Sequence, residues 1–292
     1  MNGQFGLYTL IWLMVLLWSA NFIIGKVALR EFPPLLLGAL RIGLAGIFVA
    51  PAFWRRVRAG ERFGSGSDLA LLLFLAFCNV GNQMLFLLGL QRTSVAHSAL
   101  IIGVGPIFVL LIAAAAGIDR ITVRKTVGML IALGGVAVLV RQVSAAERGQ
   151  ATLAGDSITF AACVLFSMFA VYGKRATKRH STVGVNGFGY LAGGLLLVPV
   201  ILWQSSGFSF ARISPAGWSS LIYMALFPSL ICYLIYYHAL SHISASRVAA
   251  FIYLEPVIAT LLAVAFLSER ITPPLVAGGS VIFAGVYLTE RS

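Results

Sequence analysis

Charge is what this chain has least of. Only 10% of its 292 residues are Asp, Glu, Lys or Arg, and just nine are acidic, where soluble domains carry about 25% charged residues. A chain so poor in charge cannot cover itself with water-facing residues. Cysteine is equally scarce. Cys78, Cys163 and Cys232 all fall within apolar stretches, with no CxxC and no Cys/His spacing, so neither a zinc site nor a disulfide framework is expected and no metal or cofactor is called for. The motifs of chemistry are missing too. Residues Ala20 to Val27 come nearest to a P-loop but carry Ala in place of its first Gly and lie inside an apolar run, which excludes a nucleotide-driven pump. There is no HExxH, no GxSxG and no pair of carboxylates deep in an apolar stretch, so no enzyme is expected. Nothing resembles a selectivity filter. The first apolar block follows no basic segment and runs on for some 23 residues, unlike a signal peptide.

What is present is hydrophobicity in blocks. The chain is 60% hydrophobic with a mean hydropathy of +0.95. A bilayer core about 30 Å thick takes roughly 20 helical residues, and ten blocks fit that ruler. The first five run from Leu7 to Leu29, Pro34 to Phe53, Asp68 to Gln91, Val95 to Gly117 and Thr122 to Val140. The second five run from Leu153 to Lys174, Val183 to Trp203, Ala216 to Leu240, Ser244 to Leu267 and Pro273 to Leu288. The fold class expected is therefore all-α, a membrane protein of ten transmembrane helices with short linkers and no extramembrane domain.

The net charge of +12 would suggest nucleic-acid binding in a soluble protein. Here the Lys and Arg residues sit between the apolar blocks, as membrane-surface anchors, so the partner expected is the bilayer and not nucleic acid. Thirteen of them, including Arg55, Arg56, Arg58, Arg62, Lys174, Arg175, Lys178, Arg179 and Arg247, fall in one set of alternate linkers and seven in the other. The richer side is cytoplasmic by the positive-inside rule, which puts both termini in the cytoplasm.

The chain also repeats itself. At an offset of 150 residues, Leu90 to Val136 aligns without a gap on Leu240 to Val286 with fourteen identities in forty-seven pairs. Among them are Pro106 with Pro256, Arg120-Ile121-Thr122 with Arg270-Ile271-Thr272, Gly128 with Gly278 and Gly135 with Gly285. At an offset of 148, Ser19 to Ala28 matches Ser167 to Ala176, including Gly25-Lys26 and Gly173-Lys174. The chain thus divides into 1–145 and 146–292. With five spans each, the halves enter the membrane from opposite sides, the inverted repeat on which many transporters build alternating access.

Leu254-Glu255-Pro256-Val257, followed by Leu267-Ser268-Glu269-Arg270-Ile271-Thr272 and the Gly278 and Gly285 spacing, resembles the EamA module of the drug/metabolite transporter superfamily. Gly105-Pro106 with Gly117-Ile118-Asp119-Arg120-Ile121-Thr122 resembles a second copy. Trp18-Ser19-Ala20-Asn21-Phe22 is most similar to the start of bacterial YddG-type exporters of aromatic and other neutral amino acids. The resemblance implies an inner-membrane secondary transporter with ten helices, both termini inside and a central, mostly apolar cavity lined mainly by helices other than the fifth of each half. A multidrug or cationic-compound exporter of the same fold and a facilitative, channel-like permease are the alternatives.

Single residues stand out against the apolar background. Glu255 is the one acid near the middle of a span, where a charge costs at least about 2.5 kcal/mol; it serves either a substrate amine or a proton, or it bonds helix to helix. Pro106 and Pro256 each remove a backbone amide and free a carbonyl, those of Ile102 and Ile252, so kinks are expected there. Arg41, some seven residues into the second span, either meets a substrate carboxylate or Glu255, or snorkels outward. Asn21, Asn79, Asn82 and Gln83 either line a cavity or glue helices together. Trp18, Tyr233 and Tyr253 lie deep enough to form apolar walls. His97 and Arg247 correspond in the repeat and stand as candidate gate residues. The partners expected are a small-molecule substrate, lipid and, if Glu255 exchanges them, protons. Oligomeric state is not readable, because stripes such as Gly189 to Gly193 pack within a chain as readily as between chains.

Overall fold

In the computed structural model the backbone is described for residues 2–63, 66–93, 98, 101–140, 152–267 and 273–291. It is helical throughout, and among the described residues there is no strand. The helices are α1 (Asn2–Ala28), α2 (Pro34–Arg58), α3 (Gly66–Arg92), α4 (Gly105–Ala115), α5 (Val123–Val140), α6 (Leu153–Ala176) and α7 (Thr182–Ser205). They are followed by α8 (Pro215–His242), α9 (Ala245–Ala250), α10 (Glu255–Leu267) and α11 (Pro273–Glu290). Six of them, α1, α2, α3, α6, α7 and α8, are long and apolar enough to cross a bilayer, and the apolar α4 and α11 are shorter. The chain is an integral membrane protein.

Helix starts are set by local chemistry. Pro34 occupies the first turn of α2, where its missing N–H is no loss, and Arg55, Arg56 and Arg58 crowd its last turn, where cations oppose the helix dipole. Ser181 and Ser214 cap α7 and α8 by accepting the N–H of Gly184 and of Gly217. Each capping serine is itself gripped by a glutamate from a distant loop. Glu31 accepts from the Ser214 backbone N–H at 2.7 Å and its hydroxyl at 2.6 Å, and Glu61 accepts from the same two groups of Ser181 at 2.7 and 2.8 Å. These clasps do the work of a capping box with the acid supplied from another part of the chain.

The hydrogen bonds from Ser214 hold the Glu31 carboxyl below its ordinary pKa. A group whose pKa is lowered by folding contributes stability above its unfolded pKa, and loses it as pH falls through the folded value. Amide hydrogen exchange across Ser214 to Gly217, corrected for intrinsic rate, is therefore expected to be slow at neutral pH and to quicken once pH drops below about 4, the ordinary carboxylate range. Glu31→Gln should exchange fast at every pH; equal protection in that variant would show that the clasp is not held by charge.

Three helix pairs form the scaffold: α2 on α7, α3 on α6 and α5 on α11. The last is so close that backbones touch. A Cβ on Gly128 would lie 2.7 Å from the Gly285 carbonyl oxygen, and one on Gly135 would lie 2.8 Å from that of Gly278. The four glycines that match in the sequence repeat are thus the ones that meet, each against the mate of the other. Lys26 Nζ donates to the carbonyls of Leu90 at 2.7 Å and Thr93 at 3.0 Å. Lys174 Nζ donates in the same way to Leu240 at 2.8 Å and to Ile243, so each matched lysine closes the C-terminal end of a helix, α3 or α8.

The fourth and ninth blocks depart from expectation. Neither is one kinked helix. A turn at residues 103–104 precedes α4, and a 3-10 turn, Phe251–Leu254, separates α9 from α10. Pro106 and Pro256 are each the second residue of the new helix, a position whose N–H would go unpaired in any case. The prolines therefore restart helices and do not bend them. Of the two freed carbonyls, Ile252 accepts the Glu255 N–H and Ile102 faces the Cys163 thiol at 4.0 Å.

Candidate functional site

Both helix restarts open onto one cavity, which together with the open space at its mouth takes in about 660 Å3. Ile102 and Gly105 line it at the first restart, Ile252 and Glu255 at the second. The walls come from α1 (Trp18, Asn21, Phe22), α2 (Arg41), α3 (Asn82, Gln83, Phe86), α6 (Ala162, Cys163, Phe166) and α8 (Tyr233). Among the described residues, none from α5 or α11 takes part.

Arg41 is buried, 3% exposed, and does not snorkel. Its Nε donates to Ser229 Oγ, which donates to Gln83 Oε1 at 2.8 Å. Gln83 Nε2 donates in turn to Asn79 Oδ1 at 2.8 Å and to Tyr190 Oη at 3.1 Å, and the Tyr190 hydroxyl donates to the Ser229 carbonyl. The guanidinium is thus held by a chain of neutral groups from three helices, α3, α7 and α8, while its Nη1 has no partner among the described residues. Ser229 reaches this network from a π-helical turn, Ala225–Ile231, with Pro228 inside it. The Pro228 carbonyl accepts from Trp18 Nε1 at 3.0 Å. Such turns release backbone groups for other uses and recur at functional sites.

Glu255, 5% exposed, begins α10. No hydrogen bond or ion pair joins its carboxyl to Arg41 or to any other described residue. Asn21 also lines the cavity, its Oδ1 without a partner among the described residues, and Asn82 Oδ1 accepts from the Tyr233 hydroxyl at 3.3 Å. Trp18 packs edge-on against Phe166 at 5.9 Å and Tyr233 at 5.6 Å, giving the space an aromatic wall.

Of the residues singled out in the sequence, Trp18, Asn21, Arg41, Asn82, Gln83, Tyr233 and Glu255 are thus brought together, and Asn79 and Tyr253 are not. Asn79 stands behind Gln83 as its acceptor. Tyr253 is fully buried in the core, because the 3-10 turn winds at 3.0 residues per turn and carries it off the face that an α-helix would give it. Arg247 lies away from the cavity, donating to Tyr8 Oη at 3.3 Å and to Glu290, which also accepts from Tyr8. Beside it Asp119 accepts from Lys125 at 2.6 Å and from Ser246; burial raises the pKa of this carboxyl, but those hydrogen bonds, with the Arg120 N–H and the Lys125 charge, together outweigh burial and leave it below its ordinary value. His97 lies outside the described residues.

Phe22, Phe86, Phe166, Cys163, Tyr190 and Ser229 went unmarked in the sequence. Two signals pointed to part of this set: Phe166 is the mate of Trp18 at the 148-residue offset, and Pro228-Ser229 interrupts an apolar span.

A family model described as the EamA-like transporter family matches residues 6–141 and 153–291. An uncharacterized transporter of Archaeoglobus fulgidus is 27% identical over 285 residues, covering 97% of this chain and 96% of that one. A probable terminal-alkyne amino-acid exporter of Streptantibioticus cattleyicolor is 27% identical over 288 residues, covering 96% and 91%. A solved crystal structure superposes with a TM-score of 0.78 at 20% identity, covering 98% of this chain and 96% of the other; that likeness concerns the fold.

Proposed function

The chain belongs to the EamA-like transporter family, and we propose that it is a secondary transporter exporting amino acids, aromatic and other neutral ones, across the inner membrane. It works by alternating access, with ten spans in two inverted halves, 1–145 and 146–292, and both termini cytoplasmic. The observation that carries this reading is the cavity itself: two helix restarts, a buried cation and a buried carboxyl converge on one aromatic-walled space. Broken helices around a central site are how inverted-repeat transporters build such a site. The relative named a probable amino-acid exporter supports the same substrate class. The coupling of the matched glycines and lysines across the chain supports the inversion.

Purified protein in lipid vesicles, loaded with unlabelled phenylalanine, tests the proposal. Uptake of labelled phenylalanine is expected to saturate and to be accelerated by the substrate inside. Flux that stays linear in concentration with no trans-stimulation would make the protein a pore, and accumulation of lipophilic cations with none of amino acids would make it a drug exporter.

A further inference from the structure

A guanidinium, Arg41, and a carboxyl, Glu255, line the cavity, and among the described residues no ion pair joins either to the other or to a neighbour. Opposed charges placed in one span-buried space would ordinarily be bonded to each other, since leaving a buried charge unpaired is costly. Here Arg41 is oriented through Nε by Ser229, which leaves its Nη1 without a partner among the described residues, and the Glu255 carboxyl stands at the start of α10 with no bond to any of them. The other half-helix, α4, begins at Gly105 in the cavity wall with no side-chain cap, so its partly positive end is bare where the repeat carries a carboxyl at the other. The cavity wall therefore carries a guanidinium and a carboxyl together with the rings of Phe22, Phe86 and Phe166.

Resting on the amino-acid exporter reading, we propose that this is a site for a zwitterion, in which Arg41 takes the α-carboxylate, Glu255 takes the α-ammonium and the aromatic wall takes an apolar side chain. A ligand with one charge leaves the other of these two groups unpaired. Sites that leave a buried polar group unpaired reject the analogue by several orders of magnitude. Selection is thus for both groups on one small molecule, and simple amines or acids of the same size are excluded.

The test is competition against labelled phenylalanine in vesicles containing the full chain, with three competitors: phenylalanine, 2-phenylethylamine and 3-phenylpropionate. Phenylalanine is expected to compete at least about 30-fold better than either analogue. In Arg41→Gln the advantage of phenylalanine over the amine should collapse, and in Glu255→Gln its advantage over the acid. The wild-type series needs no variant, so a misfolded variant does not rescue the idea. Analogues that compete as well as phenylalanine overturn the zwitterion site while leaving the exporter reading intact, as do variants that weaken all three competitors equally. Wild-type protein that moves no amino acid overturns both.

Discussion

Gly135→Leu is expected to abolish recovery of folded protein, while Gly134→Leu, one residue away on the same helix, leaves it unchanged. A Cβ at Gly135 would sit 2.8 Å from the Gly278 oxygen and 2.9 Å from the Ile282 nitrogen. Both are backbone atoms of α11, so no side chain can swing aside. At Gly134 nothing lies within 4 Å and the residue is exposed, which in a bilayer means facing lipid, where leucine is welcome. Overpacking a flexible core costs about 1–3 kcal/mol, and here the obstruction is main chain, so the cost exceeds that range and α5 and α11 separate. Membrane association through close backbone approach depends on small residues at the crossing. Size-exclusion profiles of the two variants in mild detergent decide it. Similar profiles would remove the α5–α11 crossing as a determinant of the fold.

Trp18→Ala is expected to lower stability by about 3–5 kcal/mol, the usual cost of deleting a large buried aromatic, and to widen substrate choice. Trp18 is 8% exposed and touches Phe166, Tyr233 and Tyr236 at 5.6 to 5.9 Å between ring centroids. It also supplies the donor for the Pro228 carbonyl. Trp18→Phe removes the donor and keeps most of the ring, for a loss of about 1 kcal/mol. Because Trp18 lines the cavity, the alanine variant enlarges it, and bulkier amino acids should gain on phenylalanine in uptake. Thermal denaturation and competition in vesicles read the two effects separately. If Trp18→Phe proved as damaging as Trp18→Ala, the bond to Pro228, and not the packing, would be what Trp18 provides.

Legibility in the sequence followed contrast. Glu255, Arg41, Asn82 and Gln83 are polar groups in apolar blocks, so each was visible singly, and all four reach the cavity. Phe22, Phe86 and Phe166 contribute as much wall but have no contrast with their surroundings, and only the repeat distinguishes Phe166. Six of the ten blocks, the first three and the sixth to eighth, are helices long and apolar enough to cross a bilayer, and block length made them legible, since a bilayer fixes how long a span must be. Where the backbone leaves the α-helix, the reading failed. The prolines at 106 and 256 were seen, but whether a proline bends a helix or begins one depends on the residues ahead of it closing a tight turn. Pro51 and Pro199, also 148 residues apart, remain inside α2 and α7 without ending them. Tyr253 was misplaced by the same cause, and the π-helical turn at Pro228 was not foreseen because it is held by tertiary bonds from Trp18 and Tyr190.

The glycine crossing also imposes an order on biosynthesis. Each lysine cap is made between helices close in the chain, α1 with α3 and α6 with α8, and can form soon after its helices emerge. The groove on α5 has no such neighbour: α11 begins 150 residues after α5 does, at Pro273 against Val123. At about 5–20 residues per second, the nascent chain waits about 8–30 s with the Gly128 and Gly135 face open to lipid or to whatever chaperones it, and any protein that shields α5 during that interval competes with its own last helix.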